Sequence, residues 1–210
     1  MRRTRWTLLL AAALAVPAIL FGCASAPGDA ETSAKAAAML KASFKEQGQA
    51  KLDRLDQDDM QKTCSEFTGK AMPKDVAERI EKANLASIKW PADGKLLGDW
   101  KNGEKIAQEG RGMQYSDDPN GPAGANCYAC HQLAPQELSY GTIGPSLLHF
   151  GKSRGYTDEN RKYAYGKIFN ADAYSACTNM PRFGHKGILN EQQVKDVAAL
   201  LMDPDSPVNR

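Results

Sequence analysis

Cys127-Tyr128-Ala129-Cys130-His131 is the stretch on which the reading of this 210-residue chain turns. Two thiols separated by two residues can add to the two vinyl groups on one edge of a haem. The histidine that follows can then reach the iron from one face, so the run reads as a c-type haem attachment site. A structural zinc site would need a second ligand pair. The chain has no other Cys-x-x-Cys and no His-x-x-x-His. A redox dithiol would not need the adjacent histidine. The spacing therefore predicts one covalent haem c, attached through Cys127 and Cys130, with His131 as an axial iron ligand.

Covalent haem attachment goes with export, and the N-terminus carries an export signal. Arg2, Arg3 and Arg5 precede the apolar run Leu8 to Val16, and small residues follow at Ala24-Ser25-Ala26. That order is a secretory signal over residues 1–26. The apolar run is shorter than the roughly 20 residues needed to span a bilayer. Two cleavage readings stay open. Leu20-Phe21-Gly22-Cys23 resembles a bacterial lipobox that would make Cys23 a lipidated N-terminus, although phenylalanine is unusual there. Cleavage after Ala26 would leave Pro27 first. The expected location is the periplasm, with membrane contact only through a lipid on Cys23. The precursor carries 27 Lys and Arg against 25 Asp and Glu, a net charge of +2, and losing the three arginines leaves −1. A near-neutral chain gives no support for a nucleic-acid partner or a basic membrane patch.

The chain has five cysteines: Cys23, Cys64, Cys127, Cys130 and Cys177. Cys23 is lipidated or removed, and two hold haem. Cys64 and Cys177 remain in an oxidising compartment, where parity favours a disulfide between them. The other reading leaves one or both free or facing a partner chain.

Before residue 93 the text is polar and helical. Residues 30–62 are alanine-rich with strong helix formers, and Lys74 to Ile88 follows Pro73, a residue suited to a helix start. Both segments are too polar to form a core alone, so residues 27–92 read as a helical N-terminal extension laid over a second domain. Trp90-Pro91-Ala92-Asp93-Gly94 marks the join. Residues 93–204 then form the haem domain and 205–210 a tail. Within it, Asp99 to Glu109 reads as a helix with Trp100, Ile106 and Ala107 apolar. Asp158 to Ile168 reads as another, with Thr157 as N-cap. Its aromatic neighbours Tyr156, Tyr163, Tyr165 and Phe169 are expected around the haem edge. Asn190 to Met202 closes the chain, with Gln193 at the reciprocal capping position and Val194, Val197, Ala198 and Leu201 on one stripe.

The second iron ligand is expected at Met180, in Cys177-Thr178-Asn179-Met180-Pro181-Arg182-Phe183-Gly184. A thioether is soft and neutral and favours ferrous iron. Met180 lies on a loop between two helical stretches. His149, His185, Met113 and Met202 compete for the role.

These features resemble class I cytochromes c: helices around one haem, with a helix before the attachment motif meeting the last helix. Ile143-Gly144-Pro145-Ser146-Leu147 resembles that family's Gly-Pro-x-Leu segment. The resemblance implies that the Pro145 carbonyl accepts the N–H of His131 and fixes its ring, and it places the methionine ligand on a loop like that of Met180. The expected fold is thus all-α, a class I cytochrome c domain with an N-terminal helical extension.

Residues 98–203 resemble one family further, SoxX, the monohaem subunit of SoxAX cytochromes, in an extended form. The resemblance rests on Gly110-Arg111-Gly112, the haem motif, the Gly-Pro-Ser-Leu segment, Asn179-Met180-Pro181-Arg182-Phe183-Gly184 and Ile188-Leu189-Asn190. It implies a SoxA-type haem partner at which thiosulfate is conjugated oxidatively to a carrier-protein cysteine, the L-cysteine S-thiosulfotransferase reaction. This chain would accept the electrons and pass them to a soluble cytochrome c without being catalytic alone. The chain has no acid–base pair or basic-flanked spare cysteine that would suggest chemistry of its own. A free-standing electron carrier is the alternative, and a haem sensor or peroxidase a more remote one.

Overall fold

The computed structural model describes residues 30–210. The signal segment and Cys23 lie outside the described residues. Two compact units are present, the first ending at Leu40 and the second running from Lys41 to Arg210. Among the described residues there is no strand, only an isolated bridge between Gln47 and Ala50. The architecture is all-α: α1 (Ala30–Ser43), α2 (Asp59–Glu66), α3 (Lys74–Ala86), α4 (Trp100–Gln108), α5 (Phe150–Arg154), α6 (Asp158–Phe169) and α7 (Glu191–Met202). Short 3-10 turns at Leu52–Leu55, Cys127–Ala129 and Ala171–Ala173 join them. No described helix is long and apolar enough to cross a membrane.

Local chemistry sets the helix starts. Asn190 accepts from the Gln193 N–H while the Gln193 side chain accepts from the Asn190 N–H, a closed capping box on α7. Thr157 caps α6 through the Asn160 N–H, and Asp99 caps α4 through the Lys101 N–H. Such caps satisfy donors that the first helical turn would otherwise leave bare.

The core forms where α4 and α6 pack on α7. Val194, Val197, Ala198, Leu200, Leu201 and Met202 are all buried, a wider face than the single stripe read from the sequence. Between α4 and α7 the closest approach is at Gly103. A Cβ there would stand 2.1 Å from the Asp196 backbone oxygen. The crossing is pinned at its start, where Gly98 N–H donates to the Lys195 carbonyl and Asp99 N–H to the Asp196 carboxylate, at 3.0 and 2.9 Å. Gly103→Ala gains about 1 kcal/mol of helix propensity but drives a methyl into backbone, an overpacking worth about 1–3 kcal/mol or more. The expected net result is destabilisation by about 2 kcal/mol, read from denaturant unfolding.

The α6 aromatics pack on one another, on Trp90 and on Tyr174. Tyr165 stacks on Phe169 and packs on Trp90, with ring centroids 6.1 and 5.7 Å apart. Its hydroxyl donates to the Lys89 carbonyl at 3.1 Å. Tyr163 meets Tyr174 edge-on. Tyr165 thus faces the segment that precedes α4, where Trp90 supplies a large apolar surface. Asn170 continues that contact. Its side-chain amide donates to the Asn84 side chain and to Ser87 Oγ at 2.9 and 3.0 Å, joining α3 to the end of α6.

Candidate functional site

Cys127–Ala129 form a 3-10 turn entered through Asn126 in the left-handed region, φ 45°. His131 N–H donates to the Cys127 carbonyl at 2.9 Å, so the turn folds the histidine back over the two cysteines. Tyr128 points inward and is buried. Its hydroxyl donates to Glu104 of α4 at 2.9 Å and accepts from the Ala134 N–H at 3.3 Å. Burial, reinforced by Glu104, pushes its phenol above the usual range, so it stays a neutral donor. The sequence reading missed this tie. The only sign of it is a large residue with a polar tip between the two cysteines.

The following segment is laced to this turn. Gly141, Gly144 and Leu147 N–H groups each donate at 2.8 Å, to the carbonyls of Tyr128, Cys130 and Gln132 respectively. That register brings the Pro145 carbonyl to 2.7 Å from His131 Nδ1. Nδ1 is therefore the protonated nitrogen and donates, since proline's carbonyl can only accept, which leaves Nε2 with its lone pair. The approach requires glycine twice. A Cβ on Gly141 would collide with the Ala129 carbonyl, and one on Gly144 would lie 2.2 Å from His131 Cε1 and 2.5 Å from Nδ1. Gly144→Ala is expected to tilt the His131 ring off the Pro145 carbonyl. The expected readouts are a changed ligand field in the magnetic-resonance spectrum of the haem-loaded protein and a lower unfolding midpoint, by about 1–3 kcal/mol.

Met180 lies half-buried on the loop before α7, with Ile188 and Leu147 also half-buried against the main core. A cleft of about 430 Å³ runs beside it, lined by α2 residues and by residues 177–182. Of the competing candidates, Met202 and His185 are taken up elsewhere, whereas the buried Nδ1 of His149 has no hydrogen-bond partner among the described residues. Met202 is fully buried in α7. His185 Nδ1 sits 3.2 Å from Ser87 Oγ, and burial, with Arg182 and Lys186 nearby, lowers its pKa. The His149 backbone N–H donates to Val208 near the C-terminus. Met113 lies exposed, with its carbonyl taken by Arg54.

Cys64 and Cys177 form a disulfide, with Cα atoms 5.5 Å apart, while Cys127 and Cys130 are free thiols. Around the bridge is a charge cluster the sequence reading did not foresee. Asp58 caps α2 in a capping box with Gln61. Its second oxygen accepts from Arg182 at 2.6 Å and Lys186 at 2.7 Å. Burial alone would raise the Asp58 carboxyl, but the hydrogen bonds from Lys186, the Gln61 N–H and Arg182 outweigh it and hold the group well below the usual carboxylate range. A depressed folded pKa gives stability that is present above the unfolded value of about 4 and is lost as pH falls through the folded value. Acid unfolding should therefore steepen below about pH 4, and Asp58→Asn should flatten that dependence while costing about 2 kcal/mol at neutral pH. Unfolding curves at stepped pH measure both.

The residues present fit a haem. Cys127 and Cys130 are unpaired and only partly buried, so both thiols are open to a group seated beside them. His131 offers an oriented nitrogen. Ile106, Ala125 and Leu147, tied to the motif's flanks by backbone bonds, are partly buried against the core and leave apolar surface uncovered.

Comparison with known proteins agrees. Residues 101–203 match the family model "Cytochrome c". An "Uncharacterized lipoprotein" of Aquifex aeolicus (strain VF5) is 37% identical over 158 residues, covering 73% of this chain and 73% of the relative. That alignment is longer than the stretch from Lys101 to the C-terminus, so it includes part of the segment before the family match. A crystal structure of SoxXA from P. pantotrophus shares 27% identity over 51% of this chain and 82% of the other, at a TM-score of 0.36, too low to transfer a role. Residues 101–203 are a cytochrome c domain: the described fold is all-α, that of a class I cytochrome c, and such a domain carries covalent c-type haem and transfers electrons.

Proposed function

We propose that this chain is an exported monohaem electron-transfer subunit of SoxX type, with the haem attached through Cys127 and Cys130 and the iron held between His131 and Met180. The observation that carries the haem reading is the 2.7 Å approach of His131 Nδ1 to the Pro145 carbonyl. It fixes one tautomer and one ring orientation, the usual arrangement for a metal-binding histidine. When bound, the haem supplies a one-electron couple, whose potential a neutral thioether ligand raises. The chain's own part is to orient both ligands, keep the sixth position closed and exclude other chemistry.

The Sox assignment rests on the motifs Gly144-Pro145-Ser146-Leu147 and Met180-Pro181-Arg182-Phe183-Gly184. On that reading a larger SoxA-type haem protein is the partner. Electrons come from oxidative conjugation of thiosulfate to a carrier-protein cysteine and leave to a soluble cytochrome c. The periplasm is the compartment, and Cys23 is the lipidated N-terminus, which the lipoprotein relative supports. The extension over residues 27–92 and the domain over 93–204 then divide the labour between holding and carrying.

The test is purification of the chain from its native membrane fraction, followed by thiosulfate addition. Co-purification with a larger haem protein and thiosulfate-dependent reduction support the assignment. A chain that purifies alone and stays oxidised is a free-standing carrier instead. Optical and magnetic-resonance spectra test the ligands: a methionine–iron charge-transfer band supports Met180, and high-spin haem refutes it. Mass spectrometry of the mature N-terminus decides Cys23.

A further inference from the structure

The loop that carries Met180 is short and lacks regular structure, yet both of its flanks are tied down by residues that precede the cytochrome c family match. At its start, Ala176 N–H donates to Glu81 of α3 at 3.1 Å. One residue on, Cys177 is bonded to Cys64 of α2. Beyond Met180, Arg182 is buried and donates to Asp58 at the N-terminus of α2 at 2.6 Å. Lys186 donates to the same oxygen at 2.7 Å. Beneath the loop sits Asp172, itself buried. It accepts from the N–H of Thr178 at 3.2 Å and lies 3.7 Å from Arg182.

Those ties counter a backbone that would otherwise relax. Cys177 holds φ 59°, in the left-handed region that a residue with a Cβ occupies at a cost. Nothing in the sequence of the loop favours that conformation at a cysteine. The bridge to Cys64 and the Thr178 N–H bond to Asp172 hold it between them.

We infer that α2 and α3 act as a clamp on the iron-ligand loop, and that Asp58, Cys64 and Glu81 are positioning residues for Met180. The inference rests on the reading of Met180 as a ligand. Asp58 and Cys64 grip the loop from one short helix, three residues before Met180 and two after it. Met180 is thereby confined to a few residues of chain whose two ends are fixed to the same rigid element. A thioether is a weak ligand, and a loop fixed at both ends keeps it at the iron without loop-ordering entropy at each return. The segment before the haem domain is then part of the electron-transfer site, and its work is to keep the sixth position shut. The likeness to the lipoprotein relative, which reaches into this segment, accords with that role.

The experiment compares full-length, haem-loaded protein with four variants: Cys64→Ala/Cys177→Ala, Asp58→Asn, Met180→Ala and Gly103→Ala. The readouts are the methionine–iron charge-transfer band, the midpoint potential and carbon monoxide binding, each taken well below the unfolding midpoint. The expected result is a weakened band, a lower potential and new carbon monoxide binding in the first two variants. Gly103→Ala, which touches only the α4–α7 crossing, should lower the unfolding midpoint and leave the band intact. If the double cysteine variant does not fold, Asp58→Asn, which keeps the disulfide, carries the test. An unchanged band and no carbon monoxide binding in the clamp variants, while Met180→Ala loses the band, overturns the clamp alone. A Met180→Ala variant with the parent spectrum overturns the ligand reading, and the clamp with it.

Discussion

Replacing Cys127 and Cys130 together by alanine is expected to abolish covalent haem and, with it, the stable fold of the domain. Both thiols are free in the chain while the other described pair is joined, so they alone among the described cysteines can form thioethers. The apolar residues at their flanks, Ile106, Ala125 and Leu147, are only partly covered by protein. Each ~100 Å² of apolar surface covered by a haem seated there would contribute about 2.5 kcal/mol at about 25 cal/mol per Å², against a typical whole-domain stability of roughly 5–15 kcal/mol. Without the two bonds the haem would be held only by reversible ligation. The measurement is acid–acetone extraction of denatured protein, with circular dichroism of what remains. The parent should keep its colour after extraction. The double variant should lose it and unfold at a much lower temperature, and each single variant should keep the colour through one remaining bond. A double variant that stayed coloured after denaturing extraction would remove the attachment site from Cys127 and Cys130.

How far the sequence could disclose this site depended on the range of the forces involved. The starts of α4, α6 and α7 follow from Asp99, Thr157 and Asn190, each of which bonds an N–H two or three residues ahead. The attachment motif is legible for the same reason: five consecutive residues carry its geometry. The Pro145 contact spans only a short loop, and resemblance to a known segment located it. Other features were not legible. Helix α2 has a capping box from Asp58 to Gln61, but its eight residues carry no apolar stripe and none is buried, so periodicity says nothing about it. Its meaning lies in what it reaches, Cys177 and Arg182, more than a hundred residues away. Gly103 and Gly141 look like ordinary breakers until a facing backbone is seen to need the space. Trp90 read as the edge of a domain because proline and glycine follow it. Its indole in fact packs on Tyr165, and no local rule assigns that partner.

Removing the Cys64–Cys177 bridge is expected to lower stability by about 4 kcal/mol, the second large effect. The two cysteines are 113 residues apart in sequence. In the chain-entropy picture a loop of about 100 residues gives roughly 4.7 kcal/mol by restricting the unfolded chain. Charge and backbone geometry act alongside it. The Asp58–Arg182 pair stays when the bridge is cut, so the native contact between α2 and the loop weakens without vanishing. The Thr178–Asp172 and Asp58–Arg182 bonds still hold the loop when the bridge is gone, so the Cys177 backbone stays at φ 59° in an alanine variant as in the parent and that cost of about 1–2 kcal/mol cancels between them. A Cys64→Ala/Cys177→Gly variant does not cancel it. It should recover about 1 kcal/mol relative to the alanine pair, separating backbone strain from cross-link entropy. For a chain of this size each kcal/mol is worth about 2–4 °C, so the alanine pair should unfold roughly 10 °C below the parent. Scanning calorimetry of the haem-loaded proteins measures the shift, and thiol titration of denatured, unreduced parent should find neither cysteine free. An unchanged midpoint, or two titratable thiols in the parent, would show that the bridge does not form and that α2 holds the Met180 loop by charge alone.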